Sequence, residues 1–238
     1  MRMLITSGGT TIPIDPVRNI TNSSTGRFGA QLAESALMEG KAVTYLTSSN
    51  GRSPFSCNID FYENNNFDIA LSKLKQIHSL AEKYRHHYIE YRYKNFAEYA
   101  ELLNSIVKQM QPDVVILNAA VSDYLVSNYS QKKIRSNEDL TIYLKTAPKL
   151  IHYIKEWSAR SFVVGFKLLV DDDDEKLIAA AKDNMAKHNL DLVVANNLSS
   201  LKRGAHEVIV IDRNGASQKY TENLASTIIR LILNKVNE

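Results

Sequence analysis

The sequence has little of several features that define common classes of protein. Its 238 residues include one cysteine, Cys57, so no disulfide can form within the chain, which fits a reducing compartment. No apolar run approaches the roughly 20 residues that span a bilayer, and residues 1–8 turn polar too early for a signal peptide. The net charge is only +3, and the basic residues are spread out without an arginine-rich tail. These absences predict a soluble, cytoplasmic protein that binds neither nucleic acid nor membrane.

Several well-known motifs are also missing or incomplete. There is no G-x-x-x-x-G-K-[ST] P-loop and no G-x-S-x-G nucleophile elbow. The dinucleotide fingerprint G-x-G-x-x-G is met only by Gly26 and Gly29, with Ser24 at the first glycine position, and the second predicted strand does not end in an acidic residue for a ribose. The six histidines lack metal-ligand spacing, so zinc is not expected. An NAD(P)-dependent oxidoreductase is therefore disfavoured but stays open.

Apolar segments that predict strands alternate with segments whose spacing predicts helices. The strands are predicted at residues 4–5, 42–46, 114–117, 162–166, 192–195 and 208–211. The helices are predicted at residues 28–38, 96–110, 148–157, 175–187 and 222–236. Because the strands are apolar on successive residues, both of their faces should be covered. The alternation predicts an α/β fold with a Rossmann-like, doubly wound, mostly parallel sheet.

We expect a single domain over residues 1–238, with a variable insertion near residues 50–90. Within this region, residues 69–84 have the spacing of an amphipathic helix, and residues 87–93 alternate enough to form a strand.

Two local signals lie in the C-terminal half. The four aspartates at residues 171–174 are better explained as a helix cap than as a metal site. Asn214 and Gly215 separate two β-like runs, at residues 207–211 and 218–220, and this pattern predicts a hairpin at the edge of the sheet.

The most informative stretch is the polar loop between the first predicted strand and the first predicted helix. It reads TSGGT at residues 6–10, DPVR at residues 15–18 and NSSTGRFG at residues 22–29. Open α/β proteins bind phosphates at such a place, because backbone N–H groups and the helix dipole favour anions there. Arg18 and Asn22 are additions that a bare phosphate loop would not need.

A second polar segment, NAAVSDY at residues 118–124, follows the strand at residues 114–117. Its small residues let a ligand approach the backbone, and Asp123 either projects into the crevice or simply caps a turn. Residues 131–136 place three cations within four residues, which could close over a polyphosphate, although a solvated loop is the usual explanation of such a run.

Two further strand ends fall on the same predicted crevice. They are residues 165–167 and residues 195–197. Phe166 could pack on a base, and Asn196 could bond to a base edge or a ribose, while core packing and turn formation are the alternatives.

Taken together, the motifs resemble phosphopantothenate–cysteine ligase, also called phosphopantothenoylcysteine synthetase. The resemblance covers nearly the whole chain, and its markers occur in the order of that family. The markers are residues 6–10, 15–18, 22–29, 119–124, 133–136, 164–167 and 195–196. The chain resembles the free-standing bacterial type, without the flavin-dependent decarboxylase domain that precedes this unit in many bacterial versions.

The resemblance implies a ligase of coenzyme A biosynthesis that joins 4′-phosphopantothenate to cysteine. A nucleotide, CTP in bacterial members, activates the carboxylate as an acyl-nucleotide (acyl-cytidylate) with loss of pyrophosphate, and the cysteine amine then displaces CMP. The protein must align the reactants and neutralise their charge, and Mg²⁺ would offset the charge of the triphosphate. The Mg²⁺ ligands are not identified. A non-catalytic nucleotide-binding module is the other alternative.

The resemblance also implies roles for individual residues. The implied catalytic residues are Asn22 and Lys133, the latter in the flexible lid. The implied nucleotide-binding residues are Gly9, Ser24, Gly26, Gly29, Asp123, Lys133, Pro148, Lys149, Leu150, Ile151, Phe166 and Asn196. The implied substrate-binding residues are Arg18, Asn22, Ala119, Ala120 and Asp123. Arg18 would reach the phosphopantothenate phosphate of a neighbouring subunit, which implies a homodimer with shared active sites.

Two departures from the family pattern concern charge. The lid reads KIRS at residues 133–136 where many bacterial members have KIKK, and Arg135 keeps the charge but not the compact shape of lysine. Two lysines that some members use for the cytidine nucleotide fall on Asn184 and His188, so the preference for CTP over ATP is open.

Overall fold

The computed structural model describes residues 1–57, 67–135, 139–170, 173–198 and 207–237, which fold around a central eight-stranded sheet. The strands are β1 (Arg2–Ser7), β2 (Thr11–Pro13), β3 (Asn19–Thr21), β4 (Ala42–Ser48), β5 (Tyr88–Tyr93), β6 (Val114–Leu117), β7 (Tyr124–Val126), β8 (Leu144–Thr146), β9 (Phe162–Leu169), β10 (Leu192–Asn197), β11 (Val208–Asp212) and β12 (Ser217–Tyr220). The α-helices are α1 (Arg27–Met38), α2 (Phe67–Tyr84), α3 (Phe96–Met110), α4 (Ile154–Trp157), α5 (Asp174–His188) and α6 (Leu224–Asn237). Single 3₁₀ turns lie at Arg85–His87 and Leu150–Tyr153.

The strand order of the central sheet is β12-β11-β10-β9-β6-β1-β4-β5. All pairs from β10 to β5 are parallel. Numbered among themselves, these six strands have the 3-2-1-4-5-6 order of a Rossmann sheet. The predicted doubly wound fold is confirmed, and the order reverses between β1 and β6, where such sheets open a crevice at the carboxyl ends of the strands.

The predicted C-terminal hairpin is confirmed as β11 and β12, which pair antiparallel at one edge of the sheet. Gly215 takes the left-handed conformation that the turn requires, with φ +79°. The Asp212 carboxylate closes the turn by accepting bonds from the backbone N–H groups of Asn214 and Ala216, at 3.0 and 3.1 Å.

Helices cover both faces of the sheet, which explains why the strands are apolar on successive residues. Met3 and Ile5 of β1 face a core that includes buried residues of α1 and α6. Leu4, between them, faces a core formed with α3 and α5. None of the helices in the described ranges combines the length and apolar character that crossing a membrane requires.

The prediction of a helix at residues 148–157 is only partly right, because the helical part starts two residues later and is not one continuous α-helix. Lys149 is extended, with φ −84° and ψ 95°, so the chain turns only from Leu150, first as a 3₁₀ turn and then as the short α4. The helix and strand expected near residues 69–84 and 87–93 are confirmed as α2 and β5. The two-stranded sheets β2–β3 and β7–β8 were not expected, because their three-residue strands have no clear apolar alternation.

The capping role expected of the aspartate run is confirmed for Asp173. Its carboxylate accepts bonds from the backbone N–H groups of Glu175 and Lys176 at the start of α5, at 2.9 and 3.5 Å. Asp171 and Asp172 lie outside the described residues.

Candidate active site at the carboxyl ends of the parallel strands

Hydrogen bonds join the glycine-rich loop to the segment that follows β6. The Ala120 N–H donates to the Gly8 carbonyl at 2.8 Å, and the Thr10 N–H donates to the Ala120 carbonyl at 3.2 Å. The Thr10 hydroxyl accepts from the Ser122 N–H at 2.9 Å. The Thr6 hydroxyl likewise accepts from the Ala119 N–H at 3.2 Å. The two segments that the sequence singled out therefore meet at the point where the strand order reverses.

Asn22 belongs to the loop after β1 and contacts the segment that follows β6. Its side-chain amide donates to the Ala120 carbonyl at 2.9 Å, and its own carbonyl accepts from the Ser24 N–H at 2.8 Å. The side chain is exposed. The structure thus brings Asn22, Ala119 and Ala120 together beside the start of α1.

The glycines of the loop allow its segments to pack closely against one another. A Cβ on Gly29 would lie 2.2 Å from the Ser7 hydroxyl oxygen, so α1 can approach the end of β1 only with glycine there. A Cβ on Gly9 would lie 2.8 Å from the Asn22 carbonyl oxygen. Gly26 precedes α1 in the left-handed conformation, with φ +71°. The first-turn N–H groups of α1 have no acceptor within the helix, as phosphate binding requires.

Arg18 and the Lys133 segment meet through Asp15. The Arg18 Nε lies 3.4 Å from an Asp15 carboxylate oxygen, and the Arg18 guanidinium also donates to the Ile134 carbonyl. Burial by itself would raise the pKa of Asp15, but bonds from three backbone N–H groups and the charge of Arg18 outweigh it and hold the pKa below its ordinary value. Lys133 is exposed and forms no ion pair with any residue in the described ranges.

Asp123 connects the segment after β6 with the segment that precedes α4. Its carboxylate forms an ion pair with Lys149, and its carbonyl accepts from the Ala147 N–H at 2.8 Å. The Asp123 and Lys149 side chains are 64% and 51% exposed, so both are accessible to a ligand. Pro148 and Leu150 lie on either side of Lys149, so these three predicted nucleotide-binding residues lie beside the segment that follows β6.

Phe166 and Ile151 lie on opposite faces of the sheet. The Phe166 ring packs edge-on against Phe28 of α1, with centroids 6.0 Å apart. Ile151 lies on the face that α5 covers. There, a Cβ added to Gly165 would lie 3.7 Å from the Ile151 Cδ1 and 3.8 Å from the Asn184 Oδ1, so both side chains are close to the Gly165 backbone. That buried amide oxygen has no hydrogen-bond partner among the described residues. Asn196 is the second-last residue of β10 and is partly buried.

His188 forms a pair with His152 that the sequence did not predict, because the two residues are distant along the chain. Their Nδ1 atoms are 3.1 Å apart. Burial lowers the pKa of His188 to about 4, with further lowering from His152 and from nearby lysines. His188 is therefore neutral at neutral pH and cannot supply the positive charge of a lysine at this position.

Within the described part of the chain, no three His, Cys, Asp or Glu side chains are grouped closely enough to hold a metal ion. Sequence reasoning assigned no individual role to Asp15, Thr6 or Thr10, although all three lie in the TSGGT and DPVR segments that it singled out.

Fold and site together define an α/β protein of the Rossmann type, whose glycine-rich loop is bonded to the end of the neighbouring strand across the crevice. The family model described as DNA/pantothenate metabolism flavoprotein C-terminal domain matches residues 1–63 and 88–238, and the chain belongs to this family.

Several characterised proteins are similar to this chain. A coenzyme A biosynthesis bifunctional protein CoaBC from Thermococcus kodakarensis is 31% identical over 91% of this chain and 46% of its own length. A phosphopantothenate–cysteine ligase from Homo sapiens is 30% identical over 83% of this chain and 72% of its own length. A solved structure of a Cab2 variant in complex with phosphopantothenate-cysteine is 25% identical, with a TM-score of 0.84 over 99% of this chain and 86% of that chain. The chain spans about half the length of the bifunctional relatives that it matches.

Proposed function

We propose that this protein is a phosphopantothenate–cysteine ligase that acts in the cytoplasm in coenzyme A biosynthesis. The observation that carries the proposal is the bond of Asn22 to the Ala120 carbonyl, which places a polar side chain between an anion-binding loop and the end of β6. A similar protein, the Cab2 variant, has been solved with phosphopantothenate-cysteine bound.

The proposed reaction has two steps. A carboxylate oxygen of 4′-phosphopantothenate attacks the α-phosphorus of the nucleotide, and the bond to pyrophosphate breaks. The cysteine amine then attacks the acyl carbon, the amine loses a proton, and the nucleoside monophosphate leaves with the electron pair of the broken bond. Neither step needs a covalent bond to the enzyme, so the protein contributes alignment and charge stabilisation.

The positions of the predicted residues suit these tasks, and the Asn22 and Lys133 side chains are exposed. The start of α1, with Ser24, Gly26 and Gly29, would bind the triphosphate. Asn22 would hold the acyl-nucleotide, and Lys133 would approach the phosphoryl group as negative charge develops on it. Mg²⁺ would be held chiefly by the phosphate oxygens of the nucleotide, because this ion needs no dedicated protein cage.

We propose CTP as the nucleotide, with ATP as the alternative to be tested. The uncharged Asn184 and the neutral His188 stand where some relatives would have lysines. Loss of both charges changes the recognition of the base, so a direct comparison of the two nucleotides is needed.

We further propose that the protein works as a homodimer. Val17, in the turn of the β2–β3 hairpin, is 60% exposed, and Tyr143, just before β8, is 64% exposed. A hydrogen bond from the Ser130 N–H to the Ile14 carbonyl, at 3.0 Å, joins the segment between β7 and β8 to the β2–β3 hairpin. Exposed apolar side chains on adjacent segments are typical of protein interfaces. Such an interface would place Arg18 near the substrate phosphate of the neighbouring subunit.

Sedimentation analysis tests the dimer. Val17→Asp and Tyr143→Asp should each shift the protein to the monomer mass, whereas Met38→Asp, at an exposed position on α1, should not. A wild-type protein that sediments as a monomer at all concentrations would overturn the dimer proposal.

A pyrophosphate-release assay with phosphopantothenate, cysteine and either CTP or ATP tests the ligase activity. We expect release with at least one nucleotide, and a loss of about 100-fold in Lys133→Ala because a charge that stabilises the transition state is removed. Lys132→Ala is the matched control and should keep nearly full activity.

The absence of pyrophosphate release with both nucleotides would overturn the ligase proposal. Nucleotide binding without turnover would favour a non-catalytic module, and protection by NADPH in a thermal melt would favour an oxidoreductase.

A further inference from the structure

Both polar groups of the Ile134 backbone are bound by side chains from the turn between β2 and β3. The Ile134 N–H donates to an Asp15 carboxylate oxygen at 3.1 Å, and the Ile134 carbonyl accepts from the Arg18 guanidinium. These contacts join positions more than a hundred residues apart in sequence. Ile134 lies between Lys133 and Arg135, so the contacts hold the backbone immediately next to Lys133.

The Asp15 carboxylate is itself rigidly placed. Its other oxygen accepts bonds from the backbone N–H groups of Val17 and Arg18, at 2.9 and 2.8 Å. The side chain is fully buried, and the Arg18 Nε lies 3.4 Å from the oxygen that binds Ile134. A buried carboxylate held in this way keeps its charge at neutral pH, because these bonds lower its pKa.

The other end of the Lys133 segment is also attached to the same hairpin. The Ser130 N–H donates to the Ile14 carbonyl at 3.0 Å, and the Ser130 hydroxyl donates to the Lys132 carbonyl at 2.6 Å. Residues 130–134 are therefore held at both ends, with Lys133 between the two attachments. A solvated loop of several cations would not need a buried acceptor directed at its backbone.

We propose that Asp15 is a positioning residue that, together with Arg18, clamps the Ile134 peptide and so holds the Lys133 backbone at the active site. Only the role of Lys133 rests on the proposed function, because the contacts that form the clamp do not depend on that function. Removing the Asp15 carboxylate should release the segment and leave Lys133 free to adopt many conformations, only a few of which are productive.

The critical variant is Asp15→Asn. The asparagine oxygen can still accept from the turn, but its NH₂ group would face the Ile134 N–H as a second donor. Asp113→Asn is the matched control, because Asp113 also accepts a backbone bond, from the Arg2 N–H at 2.6 Å, but lies at the opposite edge of the sheet.

Limited trypsin digestion of the native protein tests the clamp directly. Trypsin cleaves after Lys132, Lys133 and Arg135, and cleavage is faster when the clamp no longer holds this segment. We expect Asp15→Asn to be cut there at least tenfold faster than wild type, and Asp113→Asn to be cut at the wild-type rate. In the pyrophosphate assay, Asp15→Asn should lower kcat at least tenfold, with a smaller change in the KM for the nucleotide.

Wild-type rates of both cleavage and turnover in a folded Asp15→Asn would overturn the inference. If that variant does not fold, hydrogen exchange of the Ile134 amide in the wild-type protein decides instead: protection supports the clamp, and exchange at the rate of a free amide overturns it. A wild-type protein without ligase activity would overturn the proposed function, while digestion and exchange would still test the clamp.

Discussion

Single side chains connect parts of the site that are far apart in sequence. Asn22 bonds to the Ala120 carbonyl, and the Thr10 hydroxyl accepts from the Ser122 N–H. Each residue type could be recognised in the sequence as a polar group beside a glycine-rich or small-residue segment. Their partners could not, because a backbone carbonyl has no sequence signature.

At this scale we expect Asn22→Asp to impair the second half-reaction most. The carboxylate cannot donate to the Ala120 carbonyl and repels it, a loss of about 1–3 kcal/mol, or roughly 5- to 150-fold in rate. Rapid-quench measurement should show near-normal pyrophosphate release and slow formation of the cysteine product. Product formation at the wild-type rate would show that the proposed role of Asn22 is wrong.

The His188 side chain predicts a pH dependence of stability. Its pKa is about 4 in the folded protein, against about 6.5 in an unfolded chain, so the unfolded chain takes up the proton first as the pH falls. The stabilisation is complete above about pH 6.5 and is lost towards pH 4, with a slope of at most about 1.4 kcal/mol per pH unit.

Urea unfolding at several pH values measures this dependence. His188→Gln, which does not titrate, should flatten the decline of the unfolding free energy between pH 6.5 and 4. Equal slopes in the wild type and the variant would contradict the assignment to His188.

At the scale of elements, the close contact between α1 and the end of β1 shapes the loop that is proposed to bind the triphosphate. The apolar spacing of residues 28–38 predicts the helix, but only the packed structure shows that the Ser7 side chain fills the space beside Gly29. The helix predicted at residues 148–157 starts late because backbone pairing of the preceding residues with the β7 segment, up to the bond from the Ala147 N–H to the Asp123 carbonyl, keeps the chain extended.

Gly29→Ala should therefore disturb both stability and nucleotide binding. The added methyl group would lie 2.2 Å from the Ser7 hydroxyl oxygen, and overpacking of this kind costs about 1–3 kcal/mol. Thermal unfolding and nucleotide titration provide the two readouts.

Gly40→Ala is the control, because its Cβ would meet no atom within 4 Å and its φ of +70° carries only backbone strain. It should lower the melting temperature and leave nucleotide affinity unchanged. Unchanged nucleotide affinity in Gly29→Ala as well would exclude a role of this packing in the site.

For the whole molecule, a partly exposed ionic cluster at the amino edge of the sheet ties the C-terminal hairpin to the parallel strands. The Asp191 carboxylate lies 2.7 Å from the Lys155 Nζ and 3.1 Å from the Arg213 Nε, and accepts from the Val163 N–H at 2.7 Å. The sequence offers no sign of this cluster, because its members come from separate segments and no motif connects them.

Asp191→Ala should destabilise the fold by about 1–3 kcal/mol, since the Val163 N–H loses its acceptor and the two cations keep only their bonds to neighbouring carbonyl and amide oxygens. Chemical denaturation measures the loss. The KM for the nucleotide should not change in protein that remains folded, because the cluster lies at the edge opposite the site. A loss below about 0.5 kcal/mol, the usual range of surface substitutions, would show that the cluster contributes little.

The sequence by itself determined the α/β class, the strands of the central sheet, the terminal hairpin and the polar segments that line the crevice. These follow from local periodicity, turn residues and motif order, which do not depend on distant contacts. Tertiary structure alone decided that the loop after β1 bonds to the segment after β6, that Asp15 holds the backbone beside Lys133, and that His152 faces His188. Each of these contacts joins groups that are distant along the chain, and only packing brings them within bonding distance.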